Sequence, residues 1–530
     1  NVNNVANSAN IIVGNDGGAV KLFYDGSNKL ETTSTGITVT DDITMSGGSP
    51  TLTMTDTSSN TDSLIFSDGG TGAGSIYISA DHNNEAASTT IEFRIDSSAT
   101  HRIYGDGSLQ SVTAGTSNFR AGVNAGNSIA SGGNYNVVVG DEAGTAITTG
   151  DENVFVGYVA GDAISTASGN TALGAYALTS DTLGSLSVAI GNNALNSQNF
   201  TTATNAYNVA IGKNAGLSVT TGINNTLIGA EAGDALTDAD KNVAVGQRAL
   251  GGDTLGSKST AIGTDALKVQ NFTSATDSHN TAVGFETGQS ITTGQYNTLV
   301  GSLAGDAITD ASGNTAMGYG ALSTNTTGEF NTAIGREALE ANLSADNNTA
   351  VGFRAIHSLS TGIKNIAIGN TALSSETSGS FSVAIGYGAL AAQNVGSGAS
   401  VNNTAVGHNA GNDITTGLKN TVIGAAAGDG FDDSSDNTAL GAYALSANSG
   451  GTNTAVGSES SIVCTGYDNT TVGYKSGHNL TSGHNNLFLG HDTGITGSPG
   501  GNFIAASDAI VLGDEDVTEF NCQVSLTVAS

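Results

Sequence analysis

The chain of 530 residues has no tryptophan, two prolines and two cysteines, and only 12% of its residues are charged. Cys464 and Cys522 are too few for a disulfide framework, so we expect two isolated thiols. No run of about 18 apolar residues occurs, so the sequence predicts no membrane insertion. Because residue 1 is Asn and no signal-like segment follows it, we expect a processed or partial product.

Positive charge is scarce. The chain has 15 Lys and Arg residues against 47 Asp and Glu residues, which gives a formal net charge of −32. Such a charge argues against nucleic acid and against anionic membrane surfaces as partners. The negative charge is compatible with the binding of cations. We therefore expect no cofactor, with Ca²⁺ as the one ion to consider.

Glycine is abundant, with 75 copies, and 38% of the residues are hydrophobic. This is enough apolar material for a large folded body. Tight turns use glycine, and a thin core needs small aliphatic side chains. The composition is therefore typical of an elongated all-β solenoid rather than a globular enzyme.

A pentad of the form Asn-Thr-x-aliphatic-Gly recurs along most of the chain. It runs from Asn297 to Gly301, from Asn314 to Gly318, and again from Asn331 to Gly335. The aliphatic-Gly step occurs 22 times between Gly140 and Gly513, mostly at the spacing that separates these three pentads. A period of about 17 residues is too short for two helices and a turn, so the pattern predicts about 22 stacked β-coils.

Each pentad has the alternation of a short strand. The residue before the Gly is always Val, Ile, Leu or Met, and Ala often precedes it. We expect the residues on either side of this Ala to anchor the strand, with the Ala on the opposite face. The Asn side chains should stack about 4.8 Å apart as a ladder that caps the turn into the strand.

A second anchor position alternates between two places. Nine coils have Gly four residues after the pentad and an apolar residue seven after it, whereas nine others have Leu at the fourth place and a polar residue at the seventh. We infer one interior slot per coil, since an empty slot would leave a destabilising cavity. Coil 352–368 has candidates for both places, and Cys464 should fill the slot in its own coil.

The coils form blocks of four, and a block of about 72 residues repeats along the chain. Three coils, which follow Gly191, Gly263 and Gly386, are longer than their neighbours. The domain prediction is N-terminal β modules over 1–117, a β-roll shaft over 118–513 and a C-terminal tip strand over 514–530. Two anchors per coil favour two-stranded coils over a triangular β-helix.

The pentads resemble those of a known family. The Asn-Thr-Ala-Ile-Gly phrase at 331–335, with variants at 349–352 and 454–457, resembles the left-handed parallel β-roll heads of trimeric autotransporter adhesins and similar rods in bacteriophage tail fibres. Residues 20–45 also resemble small β modules of tail fibres. The resemblance implies a homotrimer with small residues at the seam between chains, a place that the strand Ala would suit.

The C-terminal segment adds to the resemblance. Residues 509–513 and 519–524 look like the stretch before the self-cleaving intramolecular chaperone of tail spikes and fibres. The resemblance implies that this chaperone is missing here. It also implies that Ser530 is a processing end, because cleavage in the family occurs at a Ser.

Candidate site residues are few, and each has a simpler interpretation. His478, His484, His491 and Asp492 could bind a metal at a tip, although exposed turn histidines are the simpler explanation. Asp162, Asp234 and Asp306 recur once per four-coil block and could hold Ca²⁺, although solvated turn residues explain them more simply. The long coils at 196–206, 268–278 and 391–401 should protrude and bind a receptor, or pin a neighbouring chain. Their receptor candidates are Gln198, Asn199, Phe200, Gln270, Asn271 and Phe272.

The sequence therefore predicts a non-enzymatic tail fibre on a virion. Its expected partners are two further copies of itself, other tail proteins, and a host surface glycan or outer-membrane receptor. The main alternative is the head of a trimeric adhesin on a bacterial cell surface. A polysaccharide depolymerase and a purely structural extracellular filament are the weaker alternatives. Scattered carboxylates do not make a pocket, which argues against the depolymerase.

Overall fold

The computed structural model describes residues 2–3, 10–14, 19–24, 27–33, 36–40, 90–95, 98–104, 109–111, 114–396, 398–498, 501–519 and 521. All regular secondary structure in these segments is β-strand, which confirms the all-β prediction. A search of the same segments found no helix that is long and apolar enough to cross a membrane. The chain divides into two compact units, residues 1–85 and residues 86–530.

The first unit contains an antiparallel sheet in which each strand pairs with the next one along the chain. An ion pair between Lys21 Nζ and Glu31 Oε1, 2.7 Å apart, joins the third and fourth strands. Of the β module expected at 20–45, the described residues up to 40 form the last three of these strands. The strands are β1 (Val2–Asn3), β2 (Asn10–Gly14), β3 (Val20–Tyr24), β4 (Ser27–Thr33) and β5 (Gly36–Val39).

The second unit begins with a three-stranded antiparallel sheet of β6 (Thr90–Ile95), β7 (Ser98–Tyr104) and β8 (Leu109–Ser111). A long parallel ladder follows it. The predicted domain boundary at 117/118 therefore differs from the division between the two units, but it lies next to the first strand of the ladder.

The ladder consists of 23 strands of three residues each, and every strand pairs in parallel with the equivalent strand of the next coil. It is open-ended, since β9 pairs only with β10, and β35 only with β34. The strands are β9 (Phe119–Ala121), β10 (Val137–Val139), β11 (Val154–Val156), β12 (Thr171–Leu173), β14 (Val188–Ile190), β16 (Val209–Ile211), β17 (Thr226–Ile228), β18 (Val243–Val245), β20 (Thr260–Ile262), β22 (Thr281–Val283), β23 (Thr298–Val300), β24 (Thr315–Met317), β25 (Thr332–Ile334), β26 (Thr349–Val351), β27 (Ile366–Ile368), β28 (Val383–Ile385), β29 (Thr404–Val406), β30 (Thr421–Ile423), β31 (Thr438–Leu440), β32 (Thr454–Val456), β33 (Thr470–Val472), β34 (Leu487–Leu489) and β35 (Ile510–Leu512).

This ladder confirms a parallel solenoid with the predicted repeat length. The strand β9 lies outside the predicted set of pentads, because Ala121, rather than a larger aliphatic residue, precedes Gly122. Two of the long coils add pairs of two-residue strands outside the ladder, β13 (Gly184–Ser185) with β15 (Thr204–Asn205), and β19 (Gly256–Ser257) with β21 (Thr276–Asp277).

The face assignment of the strands is opposite to the expected one. In β24 the central Ala316 is fully buried, whereas Thr315 is partly exposed and Met317 is exposed. The same order holds in the ladder strands from β10 to β35, where the central residue is always buried and its two neighbours never are. The central residue is Ala in most of these strands, although Phe155 and Phe488 are fully buried at the same position, and the aliphatic side chains before the Gly lie outside. The strand Ala therefore lies in the core and not at a seam between chains.

The interior slot is filled as the sequence predicts. Leu322 and Ile308, which come from the fourth and seventh places of neighbouring coils, are both fully buried. Both candidates of the exceptional coil, Ile356 and Leu359, are buried as well, and Cys464 is a buried free thiol. The other cysteine, at 522, and the rest of the predicted tip up to 530 lie outside the described residues.

Backbone geometry explains why a Gly at the fourth place accompanies the aliphatic residue at the seventh. The fourth place has a left-handed backbone in both patterns, with φ of +57° at Gly305 and +58° at Leu322. A Cβ on Gly305 would lie 2.8 Å from Cδ1 of Ile308, which is too close for two carbon atoms. The glycine thus makes room for the aliphatic residue three places later.

The residue that follows a ladder strand must also be glycine. Gly301 has a φ of +132°, and a Cβ there would lie 2.6 Å from the carbonyl oxygen of Gly318 in the next coil. Adjacent coils therefore stack with backbone against backbone at this corner.

A double-mutant cycle tests the single-slot model. Gly305→Leu should lower the free energy of unfolding by about 1–3 kcal/mol because it overpacks the slot. Adding Ile308→Asn creates the Leu and Asn pattern of coil 318–334 and should recover part of that loss. Chemical denaturation of the four proteins in the cycle measures the coupling. Purely additive effects of the two substitutions would contradict the model.

Candidate functional site

The outer face of the ladder consists of aliphatic and threonine side chains along its whole length. It is formed by the residues on either side of each buried central residue, such as Thr315 and Met317 in β24. No ladder strand from β10 to β35 contains a charged residue, although the chain carries a net charge of −32. We call this surface, made by the first and third residues of the ladder strands from β10 to β35, the strand face.

Exposed aromatic residues flank the strand face. On one side they precede the ladder Asn, as Tyr296 and Phe330 do, and on the other they follow the strand-ending Gly, as Tyr158 and Tyr319 do. Neighbouring coils stack some of these rings; the Tyr387 and His408 rings have centroids 5.4 Å apart. A long uncharged surface rich in aliphatic and aromatic side chains is typical of an interaction site.

The predicted amide ladder runs beneath the strands. The backbone N–H of Asn331 donates to Oδ1 of Asn314 at 3.0 Å, and Oδ1 of Asn331 accepts from the N–H of Asn348 at 3.0 Å. Nδ2 of Asn331 donates to the carbonyl of Ala345 at 2.7 Å. Asn297 and Asn314 make the equivalent bonds, and all of these side chains are buried. Each Asn therefore ties its own coil to the next.

Each long coil supplies a Gln to the amide ladder at a place where the ladder lacks an Asn. In the coil before each of them, Ser replaces the ladder Asn, as at Ser259, and the long coil supplies a buried Gln. Nε2 of Gln270 donates to Ser259 Oγ at 2.9 Å and to Asp253 Oδ2 at 2.6 Å, and Gln270 Oε1 accepts from Nδ2 of Asn280 at 2.8 Å. Gln198 and Gln393 occupy the same position in the other two long coils.

This arrangement changes the list of receptor candidates. Gln198 and Gln270 are fully buried, and Phe200 and Phe272 are only 5% exposed, so their side chains are not available to a receptor. Asn199 and Asn271 are exposed, and each accepts a hydrogen bond from a Thr of the preceding coil. Receptor binding by the long coils stays a prediction, and it now depends on their exposed residues.

The histidines proposed as a metal site do not converge. His478 Nε2 lies 3.5 Å from Glu459 Oε2, His484 Nδ1 lies 2.9 Å from Ser507 Oγ, and His491 Nδ1 lies 3.3 Å from Asp514 Oδ2. The rings of His484 and His491 also stack on Tyr467 and Tyr474. Asp492 contacts only His491 of the three, at 3.4 Å. Each histidine thus has its own local partner.

Within the described segments, one group has the spacing of metal ligands, namely Glu337, Glu340 and His357. Its carboxylates already have cationic or histidine partners. The guanidiniums of Arg354 and Arg336 lie 2.6 Å from the two oxygens of Glu337 and hold its pKa below the ordinary value. His357 Nε2 lies 2.7 Å from Glu340 Oε2. This group therefore fits an ion-pair network better than a metal site, and the pentad analysis missed it because it lies between the pentads.

The repeated aspartates are isolated from one another along the chain. Asp162, Asp234 and Asp306 are four coils apart, or about 19 Å, so they cannot share an ion within one chain. Oδ1 of Asp162 and of Asp306 is buried without a hydrogen-bond partner, as is Oδ1 of Asp429. Burial raises the pKa of all four carboxyls above its ordinary value.

Two comparisons with known proteins found no match to this chain. A scan against protein-family models found no match, and a search of curated proteins found none either. The function must therefore be argued from the geometry above.

The role of the long coils can be tested by substitution. Gln270→Ala removes the buried donor to Asp253 Oδ2 and one of the two acceptors of Asn280 Nδ2, so it should lower the free energy of unfolding by about 1–3 kcal/mol. Asn271→Ala, one residue away and exposed, should change it by less than about 0.5 kcal/mol. Thermal unfolding of both variants makes the comparison, and equal effects would argue against the ladder role of Gln270.

The buried aspartates predict a dependence of stability on pH. The folded-state pKa of Asp162 is raised above 3.8, so above that pH the folded chain binds more protons than the unfolded chain. The contribution of Asp162 to the free energy of unfolding should therefore fall as the pH rises from 3.8 through its folded-state pKa, and this cost stays in place at neutral pH. Asp162→Asn should stabilise the protein at pH 7 and reduce this slope.

Asp310→Asn, which removes an exposed carboxylate, is the matched control and should leave the slope unchanged. Denaturant titrations at several pH values supply the measurement. An identical slope for Asp162→Asn and the parent chain would show that burial of this carboxyl does not matter.

Proposed function

We propose that the protein is a homotrimeric fibre of a bacteriophage tail that attaches the virion to the host cell surface. The observation that carries the proposal is the strand face, an uncharged surface of aliphatic and threonine side chains that continues over 22 successive ladder strands. The pentads and the flanking segments, which resemble those of tail fibres, supply the viral context.

The dimensions of the strand face suit a subunit interface. At about 4.8 Å per coil the ladder is about 100 Å long, and a three-residue strand spans about 10 Å. The face therefore offers about 1,000 Å² per chain, more than the ~800 Å² per partner of a typical stable interface. A partner must match this length and this rise per coil. A second copy of the chain does so by construction, and symmetric assembly of identical chains is the common solution.

Attachment follows from the surfaces that a trimer leaves open. Burying the three strand faces against one another leaves the turns and long coils outside, in three equivalent rows. Loops on a rigid scaffold are frequent binding sites, and three rows allow multivalent contact with a repetitive host surface. The same architecture would serve a bacterial surface adhesin, which is the alternative function.

Assembly is tested by placing a charge on the strand face. The parent chain should have a mass of about 157 kDa in solution, three times 52.4 kDa. Met317→Glu buries a carboxylate in the proposed interface and should shift the mass toward 52.4 kDa. Thr327→Glu adds the same charge at an exposed turn position ten residues later and should remain trimeric. Light scattering distinguishes these outcomes, and a monomeric parent chain would remove the basis of the proposal.

Attachment is tested with labelled protein on a panel of bacterial strains. The parent and Thr327→Glu proteins should bind a subset of the strains, and Met317→Glu should bind them more weakly because it has lost multivalency. Release of sugars from the bound cells would instead support a depolymerase. A trimer that binds no strain would support a purely structural filament.

A further inference from the structure

A cleft of about 400 Å³ lies on the turns of three successive coils, 229–245, 246–262 and 263–283. Four of its lining residues are charged, namely Glu231, Asp234, Arg248 and Lys268, and two adjacent glycines, Gly251 and Gly252, form part of its wall. Most of these residues lie in the turns rather than in the strands, so the cleft is a feature separate from the strand face.

The glycine pair opens the cleft. The equivalent positions of the coils one block earlier and one block later carry side chains, Thr179-Ser180 and Ser323-Thr324. A Cβ on Gly251 would lie 3.2 Å from Oδ1 of Asp234, so a side chain there would stand against this carboxylate. Without one, the Asp234 carboxylate faces the cleft.

The charges of the cleft are not balanced internally. Nε of Arg248 donates to Oδ1 of Asp265 at 2.9 Å and Nη2 donates to Oδ2 at 3.0 Å, and Lys268 Nζ lies 3.6 Å from the same carboxylate. Both cations are thus directed toward Asp265, which is 5% exposed. In the part of the chain that the structure describes, Glu231 and Asp234 form no ion pair. The cleft therefore presents two carboxylates that have no cationic partner.

Duplication of the four-coil block does not explain this arrangement. The position of Glu231 is Val159 in the preceding block and Leu303 in the following one. The residue equivalent to Arg248 is Tyr176 in the preceding block and Gly320 in the following one. The residue equivalent to Lys268 is Asn196 in the preceding block and Glu340 in the following one. Only Asp234 is repeated, as Asp162 and Asp306. The glycine pair and three of the charged residues thus occur together in one block and in neither neighbour.

We propose that this cleft binds a saccharide that carries a free amine. An ammonium group and ring hydroxyls donate charge-assisted hydrogen bonds to the carboxylates of Glu231 and Asp234. The exposed Val269 and the methylene stem of Lys268 offer an apolar wall for the C–H face of a sugar ring. Phosphates and acidic sugars are disfavoured, because the two unpaired carboxylates repel them. The inference uses only the cleft and does not depend on the viral assignment.

The test uses the full chain and four simple sugars. Saturation-transfer NMR with glucosamine, glucose, N-acetylglucosamine and glucuronic acid compares the amine with neutral and acidic analogues. Glucosamine should give the strongest transfer, and glucuronic acid should give none. Absence of transfer to glucosamine at millimolar concentration overturns the proposal, as does equal transfer to all four sugars.

Variants locate the binding. Glu231→Gln combined with Asp234→Asn keeps the shape of the cleft and removes its charge, and should raise the Kd for glucosamine at least about tenfold. Asp306→Asn removes the equivalent carboxylate one block later and should leave the Kd unchanged. Loss of binding in Asp306→Asn, or retention of it in the double variant, overturns the site.

A second variant tests the glycine pair. Gly251→Thr with Gly252→Ser copies the turn of coil 174–190 and should abolish transfer to glucosamine by filling the cleft. Its unfolding curve shows whether the shaft still folds. Full binding by a folded variant contradicts the role of the glycines. If this variant does not fold, the charge variants decide the question alone.

Discussion

The close approach of one coil to the next is the constraint on which this solenoid depends. At the end of each strand a glycine with left-handed backbone faces the carbonyl group of the equivalent glycine, as Gly301 does with Gly318. A side chain there would separate the coils and disturb both the strand ladder and the buried Asn ladder. Because each coil is only about 17 residues long, it cannot bury a core alone and folds only as part of the stack. The recurrence of the pentad is thus a consequence of backbone packing.

The thin interior decides which residues become available for function. The central strand residue, the slot residue and a small residue at the third place after the Gly, usually Ala, are buried in each coil, and most of the side chains that fill the core are small or aliphatic. The larger Val, Ile, Leu and Met residues before the glycines are therefore left on the outside. Since no charge interrupts them in the ladder strands from β10 to β35, the packing of the interior also creates the surface that we propose for assembly.

The sequence predicted the period, the parallel stacking, the Asn ladder and the alternation of slot residues, because each depends on a spacing that repeats many times. It was wrong about the faces of the strand, since alternation shows that Ala316 and Met317 point in opposite directions but not which of them is inside. The side chains of Gln198 and Gln270 were expected at a protruding tip, yet they lie in the ladder. At Ser259 the ladder lacks an Asn, and Gln270 of the next coil supplies the missing amide. The sequence of one coil does not show this, because the two residues belong to different coils. The repeat pattern did not predict the cleft beside Asp234, because the cleft is a departure from that pattern.

The four-coil block is a unit by which the shaft can change its length. A gain or loss of a whole block adds or removes about 19 Å, while every remaining strand keeps its partner and its orientation. A gain of a single residue within a strand would instead turn the following side chains to the wrong side. Recombination between blocks can therefore vary the length of the rod in fixed steps without redesigning its surfaces. Individual blocks, such as the one that contains Gly251 and Gly252, are then free to diverge.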